Sequence, residues 1–169
     1  MRIIVSDSSC LIDLRKASLL GNFFKLPYEI LIPDTLFEDE LLRFTSTQRR
    51  ILTEGGLKVV DLPAAQVLRA REIVHQVPQL SIHDGFAFAL AEANPGCILL
   101  TGDKQLRILA DGKGIDVHGF LWVVDELYRC EVSAADVLCG ALRLLADDPA
   151  VRLPRRELAL SIKRYGALQ

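Results

Sequence analysis

Apolar residues in this chain fall into two kinds of pattern that alternate along its first two thirds. Ile3-Ile4-Val5, Ile30-Leu31-Ile32 and Ile98-Leu99-Leu100 are short unbroken runs bounded by Ser, Pro, Thr or Gly. Runs that short, apolar on both sides of a pleat, read as strands buried in a parallel sheet. They predict strands at 2–6, 28–32 and 97–101, with shorter ones at 57–60 and 116–118. Between them the period lengthens. Val67, Ala70, Ile73, Val74 and Val77 recur at helical spacing with Arg69, Arg71 and Glu72 among them, which predicts a helix over 64–76. Further helices are expected over 10–20, 35–42, 81–93 and 104–110. The segment from Phe86 to Ala93 is apolar on nearly every side, so its helix should be central. Strands alternating with helices imply an α/β fold, a three-layer α/β/α sandwich around a mostly parallel sheet.

From Gly119 the pattern is helical alone, with helices expected over 120–128, up to about Leu145, and over 155–165. Ser133-Ala134-Ala135-Asp136 reads as the cap of the second. The organisation predicted is therefore an α/β domain over 1–120 and a C-terminal helical extension over 121–169, packed on the same domain. These helices either complete the core or present a docking surface; the stripe Leu138, Leu142, Leu145 argues for the core.

Composition narrows the class. A chain of 169 residues, half of them hydrophobic and a quarter charged, suits one compact domain with a substantial core. No apolar run approaches the roughly 20 residues that span a bilayer, and Met1-Arg2 leads straight into a strand rather than a signal peptide, so a cytoplasmic protein is expected. The net charge of −2 is not the footprint of a general nucleic-acid binder, although basic residues can still cluster away from an acidic site. Cys10, Cys97, Cys130 and Cys139 are widely spaced, without a metal-ligand pattern, and read as reduced buried thiols.

The candidate chemistry lies at the edges of the apolar runs. Asp7 ends the first strand, Asp103 follows the fourth, Glu38 sits one helical turn beyond the second, and Asp84 opens the apolar helix. The carboxyl ends of parallel strands share one sheet edge, where the sites of open α/β sheets lie. Like charges gathered there repel unless protons or a cation neutralise them. Hard oxygen donors without soft ligands favour Mg²⁺ or Mn²⁺, which can activate water and stabilise charge on a phosphodiester. Each acid also has a purely structural reading. Asp7 before Ser8-Ser9, and Asp103 after Thr101-Gly102, can be helix caps; Asp84 occupies the reciprocal position of a capping box with Ser81; Glu38, Asp39 and Glu40 can be a solvated helix turn.

The ordered set resembles the PIN domain family. The matching segments are Ile4-Val5-Ser6-Asp7-Ser8-Ser9-Cys10-Leu11-Ile12, Ile32-Pro33-Asp34-Thr35-Leu36-Phe37-Glu38, Ile82-His83-Asp84, and Leu99-Leu100-Thr101-Gly102-Asp103. The resemblance covers roughly residues 1–120 and implies a Mg²⁺- or Mn²⁺-dependent nuclease acting on RNA. The small bacterial members are mostly VapC-type toxins held inactive by a cognate antitoxin, so it also implies the toxin of a type II toxin–antitoxin pair. It implies Asp7, Glu38, Asp84 and Asp103 as catalytic, metal-binding acids, with Glu40 as a substitute for Glu38, and Ser9 and Thr101 in support. An antitoxin and a homodimer are the partners it allows for. The long helical end departs from the smallest toxins, which weakens the toxin role more than the nuclease role.

Substrate contacts are less specified. Lys104, Arg107, Arg43, Arg49 and Arg50 lie near the acidic segments, and Arg152, Arg155, Arg156, Lys163 and Arg164 make the C-terminal part locally basic; each reads either as a phosphate contact or as a solvated surface charge. His83 is either a phosphate contact or a surface residue at a helix start, while Phe120 and Trp122 read as core. Two other functions compete: a PIN-like scaffold that binds a partner through its C-terminal helices, and an aspartyl phosphotransfer protein. The latter fits poorly, because Asp7-Ser8-Ser9 lacks a second aspartate two positions on.

Overall fold

A computed structural model describes residues 1–169. Its strands are β1 (Arg2–Ser6), β2 (Tyr28–Pro33), β3 (Lys58–Val60), β4 (Ile98–Leu100) and β5 (Asp116–His118), in the order β3-β2-β1-β4-β5. Every pairing is parallel, so a sheet expected to be mostly parallel is wholly so. Ile4 and Val5 of β1 and all of β4 are fully buried, which is why these runs carry no polar alternation. The chain steps from β1 to β2 on one side and later returns to pair β4 on the other. The gap between the ends of β1 and β4 is thus a topological switch point, the usual ligand position of such sheets.

The helices are α1 (Ser8–Lys16), α2 (Leu20–Phe23), α3 (Asp34–Asp39), α4 (Ser46–Glu54), α5 (Ala64–Gln76), α6 (Ile82–Glu92), α7 (Lys104–Gly112), α8 (Phe120–Arg129), α9 (Ala135–Ala146) and α10 (Arg155–Ala167). The fold is an α/β/α sandwich. No helix is long and apolar enough to cross a membrane. One cluster of buried side chains runs from the sheet through Leu138, Leu142 and Leu145 of α9 to Leu158 and Tyr165 of α10. Tyr165 is 1% exposed, and its hydroxyl donates to Asp125 of α8 at 2.6 Å.

Three local features depart from the sequence expectations, each for a backbone reason. The helix expected over 10–20 breaks at Ser18, which adopts φ 57°; Ser18 N donates to Arg15 O and Leu19 N to Leu14 O, the paired bonds of a Schellman stop. The helix expected over 35–42 ends at Asp39, and an unforeseen α4 begins after Thr45, whose hydroxyl accepts from Gln48 N while its own N–H donates to Gln48 Oε1. Ser133 does not cap α9: the N-cap is Ala134, and the Ser133 hydroxyl instead accepts from Asn22 at 2.8 Å.

Phe120 is core, at 1% exposed, but Trp122 is only half-buried. The central helix α6 packs on α5 across Gly85. A Cβ at Gly85 would sit 2.8 Å from the Ala70 carbonyl oxygen and 3.0 Å from Val74 Cγ2. The same helix pair is fastened by Arg69, whose Nε and Nη2 donate to Glu92 at 2.7 and 2.8 Å.

The close crossing yields a stability prediction. Gly85→Ala should cost about 1–3 kcal/mol through overpacking against backbone that cannot easily move aside, lowering the melting temperature by roughly 2–4 °C per kcal/mol. Thermal unfolding followed by circular dichroism checks it; an unchanged or raised midpoint would show that the two helices have room to separate.

Candidate active site

The site begins where β1 turns into α1. Asp7 is the N-cap of α1, and its backbone N–H donates to Leu100 O of β4 at 2.9 Å. The side chain is gripped on both oxygens. Oδ1 accepts from Ser9 N at 2.9 Å, from Ser9 Oγ at 2.5 Å and from Cys10 N at 3.5 Å, while Oδ2 accepts from the Thr101 hydroxyl. Ser9 Oγ in turn accepts from Gly102 N at 3.1 Å, and Thr101 Oγ1 from Asp103 N at 3.0 Å. Asp7 is 5% exposed and Thr101 fully buried. Burial pushes the Asp7 carboxyl up to about 6, against the pull of the Ser9 and Thr101 hydroxyls and the Cys10 and Ser9 amides.

Asp103 and Asp84 are built the same way. Asp103 is the N-cap of α7, with Oδ1 accepting from Leu106 N at 2.8 Å. Asp84 completes a capping box at the start of α6: Oδ2 accepts from Ser81 N at 2.8 Å, and Asp84 N donates to Ser81 Oγ at 3.1 Å. Burial raises the Asp84 carboxyl, its bonds from the Ser81 amide and hydroxyl oppose this, and the nearby charge of Asp103 adds to the rise. All three aspartates therefore cap helices, as their structural reading from the sequence had it.

The end of α3 contributes its C-cap residue Glu40, whose Oε1 accepts from the Ser8 hydroxyl at 2.9 Å. Asp7, Glu40, Asp84 and Asp103 all line one cleft of about 980 Å³ at the carboxyl edge of the sheet. Glu38 does not line it; it is exposed on α3 and makes no hydrogen bond or ion pair to the others. Between them, Asp39 lies 3.0 Å from His83 Nε2, which ties the end of α3 to the start of α6 and accounts for His83. Ser9 and Thr101 stand where a support for Asp7 was expected, whereas the role of Ser8 was missed. The signal was the hydroxyl doublet Ser8-Ser9: adjacent first-turn residues point about 100° apart, so one hydroxyl reaches Asp7 and the other Glu40.

None of the four acids is neutralised by a lysine or arginine ion pair. Four carboxylates, one of them deeply buried, without a cationic partner are the donor chemistry of a hard divalent ion. No three acidic, histidine or cysteine side chains close into a ready-made cage. The donor set, all carboxylate oxygen, is compatible with a hard divalent ion. The same cleft also exposes Asp13, Lys104, Arg107, Arg152 and Trp122, of which Asp13 and Trp122 were not anticipated there.

The PIN domain family model matches residues 3–166. That match runs through α8, α9 and α10, well beyond the roughly 120 residues that carry the sequence resemblance. No curated protein matches the chain.

Asp13 supplies a pH prediction free of the four acids. Burial raises its carboxyl to about 6, with Lys16 opposing and Asp148 reinforcing the rise. A folded-state value above the unfolded one means the folded chain holds this proton more tightly, so stability is lost as pH climbs from about 4 through 6. Asp13→Asn should therefore stabilise the fold at pH 7.5 by about 1–2 kcal/mol, a figure discounted for partial solvent access, and have little effect at pH 4. Urea unfolding at both pH values measures this; an equal effect at each would show that Asp13 does not carry the dependence.

Proposed function

The chain belongs to the PIN domain family, whose members are generally nucleases using divalent metal ions, and from that premise we propose that it is an endoribonuclease hydrolysing RNA phosphodiester bonds. We propose further that it acts in the cytoplasm as the toxin of a type II toxin–antitoxin pair, with an antitoxin and a second copy of itself as partners. The nuclease reading rests above all on one observation: Asp7, Glu40, Asp84 and Asp103, none of them in an ion pair, line a single cleft at the switch point of the sheet, with Asp13 and Glu157 farther along its lining. The toxin role rests on the resemblance alone.

In this reading Asp7, Glu40, Asp84 and Asp103 hold Mg²⁺ or Mn²⁺. Glu38 remains the alternative second acid, and the Ser8 bond to Glu40 supports Glu40 instead. When bound, the ion would lower the pKa of a coordinated water and stabilise negative charge on the phosphate. The protein's own part is preorganisation. Thr101 and Ser9 fix both oxygens of Asp7, so its orientation is set before substrate arrives. Ser8 fixes Glu40 from the adjacent position, coupling the second acid to the same helix turn. Asp84 and Asp103 each commit one oxygen to a backbone amide and keep the other for the cleft.

A second reading, a PIN-like scaffold that binds a partner through its C-terminal helices, draws on the lack of a preformed cage and on the capping that each aspartate already performs. Titration of Mn²⁺ into the protein separates the two, since no binding up to millimolar ion favours the scaffold.

The purified protein, freed of any partner, should cleave structured RNA with Mn²⁺ and stop on chelation. Asp7→Asn should reduce cleavage by about 10²–10³-fold, and Thr101→Val, which only orients Asp7, by about 10–100-fold. Equal cleavage by wild type and Asp7→Asn would refute the assignment.

A further inference from the structure

The four acids occupy only part of the cleft; the remainder, which Asp13 and Glu157 also line, carries a cluster of cations. Lys104 and Arg107 of α7, and Arg152 from the segment joining α9 to α10, are exposed on it. All three lack any carboxylate within ion-pair distance, although the cleft is rich in carboxylates. Lys16, on the same cleft, shows the contrast: it pairs with Asp148 at 3.4 Å. Flexible cations left unpaired beside available acids point to an external anion. Arg107 lies along the turn from β5 to α8, where a Cβ on Gly119 would come 3.5 Å from its Nη1.

An aromatic surface adjoins these charges. The rings of His118 and Trp122 stack at 4.6 Å and 16°, and both line the cleft while half-buried. The stack is braced from below. Asp116 Oδ1 lies 2.8 Å from His118 Nε2, and Asp116 Oδ2 accepts from Arg2 at 2.6 Å. Trp122 also meets the Tyr28 ring at 5.9 Å.

We infer that this basic and aromatic part of the cleft binds single-stranded nucleic acid, its phosphates met by Lys104, Arg107 and Arg152 and a base packed on the His118–Trp122 stack. The inference rests on the nuclease reading only for the claim that the bound strand runs on to the acids. A single strand offers the two chemistries in alternation, anionic phosphate and planar base, whereas a duplex keeps its base faces stacked away from protein. At about 980 Å³ the cleft is at the upper end of small-molecule pockets, which favours several nucleotides over one. Arg152 stands on the segment between α9 and α10, so the C-terminal part of the chain takes part in recognition as well as packing.

Trp122 is the only tryptophan of the chain, so its fluorescence reports on this surface without mutation. The full-length protein in EDTA, where cleavage is silent, is titrated with a single-stranded RNA of about eight nucleotides. Saturable quenching of Trp122 is expected, with the same midpoint as the anisotropy of a labelled copy of that RNA. The R107Q/R152Q double variant should weaken binding about tenfold or more and flatten the salt dependence of log K by about 0.7 for each phosphate no longer neutralised. Lys25→Gln, outside the cleft, should change neither. No binding, binding without a Trp122 signal, binding indifferent to R107Q/R152Q, or tighter saturation by adenosine monophosphate or duplex RNA would each overturn the proposal. Quenching without metal-dependent cleavage in the separate assay would leave the binding surface standing and remove the nuclease; cleavage without quenching would do the reverse.

Discussion

The register of β1 against β4 is the constraint on which the rest of this molecule depends. Val5 pairs with Leu99 and Ser6 with Leu100, so the next residue on each chain, Asp7 and Thr101, meet just beyond the sheet. Their hydrogen bond, and the bond from Gly102 N to Ser9, join two segments more than ninety positions apart, with Thr101 fully buried between them. A shift of one residue would turn every side chain of the strand to the opposite face. The unbroken apolar runs of both strands do little to forbid such a shift, because either face finds a hydrophobic partner. What singles out one register is polar: the Asp7 carboxylate has its hydroxyl partners in this alignment.

Parallel topology explains why structural and chemical roles fall on the same residues. Each helix that follows a strand starts at the sheet's carboxyl edge, where its unsatisfied amides attract a capping carboxylate. Asp7 and Asp103 answer that demand directly after β1 and β4, and Asp84 does so at the head of α6. Capping brings acids together that would otherwise avoid one another. Burial then raises Asp7 to about 6 and lifts Asp84 above the ordinary range, so the fold holds charge there at a cost to its own stability. Such tension is common at sites shaped for a ligand rather than for stability alone.

Legibility in the sequence followed the strength of the local signal. Buried strands could be read because three consecutive β-branched or leucine residues have few other meanings in so polar a neighbourhood. Helix stops were legible where glycine supplied the left-handed residue, as at Gly56, and illegible at Ser18, which adopts φ 57° without that mark; the stop before Glu131, also at φ 57°, was read to within one residue from the end of the apolar pattern. The box Thr45-Ser46-Thr47-Gln48 did announce α4, but its helix is polar on most faces and lacks an apolar stripe strong enough to stand out. Within Glu38-Asp39-Glu40 nothing local distinguishes the three acids. Their separation depends on where α3 ends and on the Ser8 hydroxyl, both tertiary facts. Trp122 reads as core from its neighbours Val123 and Val124, yet the helix carries it round to the cleft.

One wall of the cleft comes from residues 150–154, which are held by α10, itself fastened through Tyr165 and Arg164 to Asp125 of α8. All four acids lie earlier in the chain than this fastening, so the wall and the acids it encloses come from separate stretches of the sequence. A chain lacking α10 would keep all four acids yet lose Glu157 from the lining and the anchor of that wall, so the acidic edge would stand open on that side.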